Sequence, residues 1–262
     1  MLRKVNNRRT LSDNLKLGIL TACAAGMVNV TSVIVFFSFT SNVTGHYAIL
    51  AQEVSKGNWY QAGVVFLWIF LFFFGNFMSN LMIINFSGNR KYLGHALPII
   101  VEIICLSYTG LYLEFAYAET LKETELLVAI LLFAMGLQNG LTASISNYSV
   151  KTTHLTGLTT DLGIIFSLFT RKEYRADKML KNKAGLLLAI MFSYMIGGVF
   201  AGSVFLMVNN YVFFFVCSVL SVVILYDYSV SRIQAKRLLK YSLKLKFRDT
   251  DKIESLQRKR SA

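Results

Sequence analysis

The sequence predicts an all-α integral membrane protein. It reads as six transmembrane helices forming two inverted three-helix repeats, each with a short broken or re-entrant helix after its first span. Three observations carry this expectation. The chain of 262 residues is 55% hydrophobic, 14% aromatic and only 16% charged, with one proline, whereas an average soluble domain is about 25% charged. Its Lys and Arg residues are partitioned between alternate loops. A composite pattern, Gly-x-x-Asn followed by a polar stretch and then Thr-Gly, occurs twice, about 110 residues apart: Gly26-Met-Val-Asn29 with Ser41-Asn-Val-Thr-Gly45, and Gly136-Leu-Gln-Asn139 with Thr156-Gly157.

The apolar residues fall into six runs long enough for the roughly 20 helical residues that a bilayer requires. In order they are about Leu17–Ser38, Gln61–Phe86, Leu93–Phe115, Thr124–Ser146, Ala184–Val208 and Tyr211–Val230. Backbone groups in hydrocarbon must bond within their own segment, so such runs are helices. Strand alternation is absent, which removes a barrel. The first run is too long for a signal-peptide core and is expected to stay as a span.

The seven segments outside the runs carry 5, 1, 2, 1, 7, 0 and 11 Lys plus Arg, so the odd-numbered segments hold 25 of the 27. The positive-inside rule then places both termini in the cytoplasm. This division gives a basic cytoplasmic N-terminus (1–16), a first repeat (17–115), an extracytoplasmic loop (116–123), a second repeat (124–230) and a basic cytoplasmic tail (231–262). Three spans per repeat is an odd number, so the repeats have opposite orientations.

The net charge of +13 is thereby assigned to cytoplasmic flanks rather than to nucleic acid, which is not an expected partner. The tail is expected to lie against anionic lipid, where each basic residue gains roughly 1 kcal/mol. Cys23, Cys105 and Cys217 all sit in apolar runs without metal or redox spacing and read as small core residues. No cofactor is called for.

The short segments, about Thr44–Val54 and Thr156–Thr170, reach about 16–23 Å at 1.5 Å per residue, less than the roughly 30 Å core. The second lies between Lys151 and Arg171-Lys172, so both its flanks belong on the cytoplasmic side. It reads as a re-entrant or half-helix, with a surface-lying helix as the alternative. Broken helices in inverted repeats mark transporter solute sites, where half-helix N-termini face anionic groups. Thr44 and Thr156 are expected to cap the short helices, and Gly45 and Gly157 to allow a tight turn there. Asn29 and Asn139 each offer a donor and an acceptor, for solute or for an interhelical bond.

Two acids stand out. Glu102 is the one charged side chain well inside a long run; it is either a coupling proton site or a neutral acid bonded to a neighbouring helix. Asp161 lies one turn into the second short helix, near its positive end. The candidate solute-binding set is therefore Asn29, Asn42, Thr44, Gly45, Asn139, Thr153, Thr156, Gly157 and Asp161, with Glu102 and Asp161 as ion-coupling candidates. His46 and His154 flank the Thr-Gly pairs but lack the partners of a metal set. Gly197-Gly-Val-Phe-Ala-Gly202 is a small-residue packing face, within the chain or in a homodimer.

Gly136-Leu-Gln-Asn139, Val150-Lys-Thr-Thr153, Thr156-Gly157, Thr160-Asp-Leu-Gly163, Ser41-Asn-Val-Thr-Gly45 and the stretch from Pro98 to Glu102 together resemble the YoaK family. The resemblance covers about residues 15–230. It implies a bacterial inner-membrane protein, from a group long classed as a domain of unknown function and grouped as small-molecule transporters. The family commonly carries an acid where Asn29 stands and often an Asn where His46 stands.

The resulting expectation is a secondary transporter, with or without proton coupling, for a small polar or anionic solute. The competing classes are a passive channel and a membrane scaffold or sensor. An enzyme is disfavoured, because no paired acids, metal set or nucleophile with its base is in view.

Overall fold

A computed structural model describes residues 10–86, 91–226 and 228. Most of the basic N-terminus and all of the basic tail, with its expected anionic lipid, lie outside the described residues. The described chain is helical, and its elements begin where the capping chemistry puts them. Thr10 and Asp13 form a capping box that opens α1 (Leu11–Phe36), six residues earlier than the apolar run. Phe37 closes it in the left-handed region (φ 53°). Asn42 opens the short α2 (Val43–Ser55), and Asn58 opens α3 (Trp59–Asn85). Then come α4 (Lys91–Phe115), with Pro98 inside it, and α5 (Leu121–Ile145), opened by a Thr120–Glu123 capping box.

After a nine-residue polar loop comes the short α6 (Leu155–Leu168), then a single turn, α7 (Lys172–Arg175). Asp177 caps α8 (Lys178–Val208) through the backbone N–H groups of Met179 and Leu180. Its Lys-rich first turns precede the apolar run predicted from Ala184. A 3₁₀ turn at Asn209–Tyr211 leads into α9 (residues 212–226).

Five stretches are long and apolar enough to cross a membrane: Leu11–Phe36, Trp59–Asn85, Tyr92–Phe115, Leu121–Ile145 and Lys178–Tyr226. The last joins two predicted runs, because only Asn209 and Asn210 interrupt its hydropathy. It is not one straight rod. Phe200 and Phe215 would sit about 22 Å apart along a continuous helix, yet their ring centroids are 6.2 Å apart. The chain therefore folds back at 209–211. From there α9 runs antiparallel to α4. Asn210 donates to the Leu113 carbonyl (3.4 Å), the Cys217 thiol meets the Ile103 carbonyl (3.7 Å), and Tyr92 reaches the Ile224 carbonyl (3.1 Å).

Two helix pairs dominate the packing, α1 on α8 and α3 on α5. Both are closed by glycines. A Cβ on Gly26 would lie 2.1 Å from the Tyr194 carbonyl oxygen, and one on Gly197 would lie 2.2 Å from that of Cys23. In the other pair, a Cβ on Gly75 or Gly136 would lie 2.3 Å from the carbonyl oxygen of Phe133 or Phe72. Small residues let backbones meet, which is the usual way apolar helices associate in lipid. The Gly197 motif thus packs within the chain. Buried hydroxyls bond back to their own helix, as Thr21 does to Leu17 (2.6 Å) and Thr142 to Gln138 (3.0 Å). Phe66, Phe70, Phe73 and Phe77 project outward from α3, an apolar exterior of the kind a bilayer covers. The described fold is that of a multi-pass, membrane-type helical protein.

Candidate functional site

Both interrupted regions converge on one cavity of about 450 Å³. Its walls come from α1, the start of α2, α3, α5, the loop before α6, the start of α6, and α8. Of the residues predicted from sequence, Asn29, Asn42, Thr44, Asn139, Thr153 and Thr156 all line it.

Each Asn of the Gly-x-x-Asn motifs ties its own helix to the polar loop that follows. The Asn29 Oδ1 accepts from the Thr40 backbone N–H (3.0 Å), the Thr40 hydroxyl (3.3 Å) and the Ser41 hydroxyl (3.2 Å). Its Nδ2 donates to the Tyr194 hydroxyl on α8 (2.7 Å). The Asn139 Oδ1 accepts from the Thr152 hydroxyl (3.3 Å), and its Nδ2 donates to that of Thr153. Gln138 links the two regions: its Nε2 donates to the Thr21 carbonyl (2.6 Å) and the Thr152 hydroxyl (3.3 Å).

The cap positions of the short helices fall two residues before the threonines expected to fill them. Asn42 is the cap of α2 (φ −89°, ψ 69°) and bonds the Gly45 N–H through Oδ1 (3.1 Å). His154 holds the same position and backbone in α6 (φ −89°, ψ 58°), but no side chain caps that helix. Thr44 and Thr156 are second in their helices, with both residues at the cavity wall. Gly45 and Gly157 sit beneath the caps: an added Cβ would lie 2.9 Å from the Asn42 amide nitrogen, or 2.4 Å from the His154 ring. These glycines make room for the residue above them rather than lining the cavity.

Two predicted residues lie elsewhere. Asp161 is five residues beyond Thr156, about 140° around the helix at 100° per residue. It faces a neighbouring cavity of about 560 Å³ and pairs with Lys183 on α8 (2.9 Å). Glu102 is fully buried on α4, a helix that contributes nothing to the cavity. Its carboxyl lies within electrostatic reach of the Cys217 thiol, and neither oxygen has a hydrogen-bond partner among the described residues. His46 turns inward as well. Its Nε2 meets the Phe39 carbonyl (2.8 Å), and its ring packs edge-on against Trp68.

Sequence reasoning missed Tyr194, Asn76 and Lys151, all at the cavity wall. Tyr194 arrives from a helix 165 residues away in the chain, and no local pattern marks it. Lys151 is visible in the sequence, but charge counting assigns it only to a cytoplasmic flank.

The chain belongs to the family described as "Protein of unknown function (DUF1275)", whose model matches residues 17–226. No curated protein and no solved structure matches it.

Proposed function

We propose that the chain is a YoaK-type secondary transporter of the bacterial inner membrane, carrying a small polar or anionic solute through the cavity between the paired breaks. One observation carries this reading. Two chain segments about 110 residues apart, each opening a helix too short to cross a bilayer, meet at one polar cavity. Such convergence is how broken-helix transporters build a central site.

The six-crossing, inverted-repeat topology has separate support. The antiparallel course of α9 along α4 favours a sixth crossing, since Lys16 at the start of α1 bonds Tyr226 at its far end (2.9 Å). The exchange of partners favours the inversion, because α1 packs on α8 of the second repeat as α5 packs on α3 of the first. In this frame α2 and α6 are half-helices that run outward from the centre, with their N-termini towards the solute. The Lys and Arg partition then favours the cytoplasmic side for the C-terminal end of α6, beside Arg171 and Lys172, and for both termini.

Glu102 is the proposed proton-coupling residue, supported by its burial without a partner. Its distance from the cavity means that it acts through the packing of α4 against α9, not on the solute.

The test is flux into sealed liposomes under an imposed proton gradient, across amino acids, organic acids, nucleobases and sugars. Uptake by the intact protein that falls to background in Asn139→Leu, at equal reconstitution, is the expected result. Glu102→Gln is expected to retain solute binding while losing dependence on the gradient. Intact protein that moves none of these solutes above protein-free vesicles would sink the reading.

A further inference from the structure

The two cavities share a wall formed by Lys151 and His154, which line both. Among the described residues, Lys151 is the one Lys or Arg that lines the central cavity, and no Asp or Glu lines it. In the second cavity, Asp161 and Lys183 neutralise one another across 2.9 Å. The charge left over in both is therefore the same ammonium. No carboxylate pairs with Lys151 among the described residues.

The surroundings reinforce its sign. The uncapped start of α6 lies beside it, adding partial positive charge from free backbone N–H groups, whereas the opposite helix start has its cap filled by Asn42. A cleft of one sign with low-dielectric walls concentrates ions of the other sign. Towards Asn29 the wall is uncharged and partly aromatic, with Tyr194, Phe39 and Phe72.

We infer that the solute carries one negative charge, and that Lys151 is the cation it follows from the second cavity into the first. The anionic group rests between Lys151 and the start of α6, and the uncharged remainder lies towards Phe39, Phe72 and Tyr194. This rests on the transporter reading and narrows it to small monoanions such as monocarboxylates.

Thermal stabilisation of the purified protein tests it, using carboxylates paired with their amides: lactate with lactamide, and benzoate with benzamide. The expected result is stabilisation by a carboxylate but not by its amide. The apparent affinity should fall about tenfold or more in Lys151→Gln, as loss of a close ion pair demands, and recover in Lys151→Arg. Lys151 is exposed, so the unliganded melting temperature should not move; if it does, the Lys151→Arg variant provides the reading. Amides that stabilise as well as carboxylates, equal affinity in Lys151→Gln, or a panel in which nothing binds would overturn the inference.

Liposome flux separates this failure from that of the transporter reading. Carboxylate binding through Lys151 without flux keeps the anion site and removes transport. Flux of an uncharged solute, unchanged in Lys151→Gln, keeps transport and removes the anion.

Discussion

The two junctions, Asn29 with 40–44 and Asn139 with 152–156, share a backbone plan but differ in their chemistry. Each has a glycine closing a helix pair, an Asn one turn later holding the following loop, and a short helix opening at φ −89°. The first junction is then closed by side chains: Asn29 makes four hydrogen bonds, and Asn42 fills the helix cap. The second is left open: Asn139 makes two bonds, His154 caps nothing, and Lys151 stands beside it. The glycine contacts are structural and common to both, whereas the polar groups are divided into a tied half and a half with free binding capacity.

The shared part predicts the largest effects. Gly26→Ala and Gly136→Ala each push a methyl into a backbone carbonyl that cannot rotate away. Each should lower stability by about 3 kcal/mol or more, the upper end of overpacking costs, seen as loss of the monodisperse peak or of the melting transition in detergent. Gly163 faces open space, so Gly163→Ala should stabilise the protein by about 0.5–1 kcal/mol by removing a flexible residue from a helix. If Gly26→Ala were tolerated while Gly136→Ala was not, the equivalence of the two helix pairs would be wrong.

The two asparagines come next and should separate. Asn29→Ala removes a partner of the Tyr194 hydroxyl and of three groups of the following loop, at about 2–3 kcal/mol, whereas Asn139→Ala strands the Thr153 hydroxyl and leaves that of Thr152 to Gln138, at about 1 kcal/mol. Chemical or thermal denaturation of the unliganded protein gives the difference directly. In transport the order should reverse, with Asn139→Ala the more damaging, because its junction is the one left open to the solute. Equal losses in both measurements would mean that the two halves are not specialised.

Much of this was legible in the sequence because it is carried by residue type at fixed spacing. Gly-x-x-Asn and Thr-Gly recur, the apolar runs mark the long helices, and six of the nine predicted solute-site residues line the cavity. What was not legible depends on direction and distance. A helix cap is decided where the chain leaves extended backbone, so Asn42 and His154 took the place expected of Thr44 and Thr156. Asp161 shares a helix with Thr156 but not a face. Tyr194 reaches the cavity only because Gly26 lets α8 come close to α1. Composition alone likewise could not tell that Glu102 sits on a helix with no part in the cavity.

The smallest effect is also the sharpest test of the comparison. Asn42→Ala removes a filled cap and should cost about 1 kcal/mol. His154→Ala removes no cap hydrogen bond, so the unliganded protein should melt within about half a kcal/mol of its starting value, the range of a neutral substitution. His154→Asn should copy the first junction into the second, with an amide oxygen taking the Gly157 N–H as Asn42 takes that of Gly45. The expected result is a gain of about 1 kcal/mol in stability, with weaker anion binding, since the side chain now occupies donors meant for the solute. Stability and binding would thus move in opposite directions from a single substitution. A His154→Asn protein that gained stability and bound anions as before would show that the open end of α6 is not where the charge rests, leaving Lys151 as its sole partner.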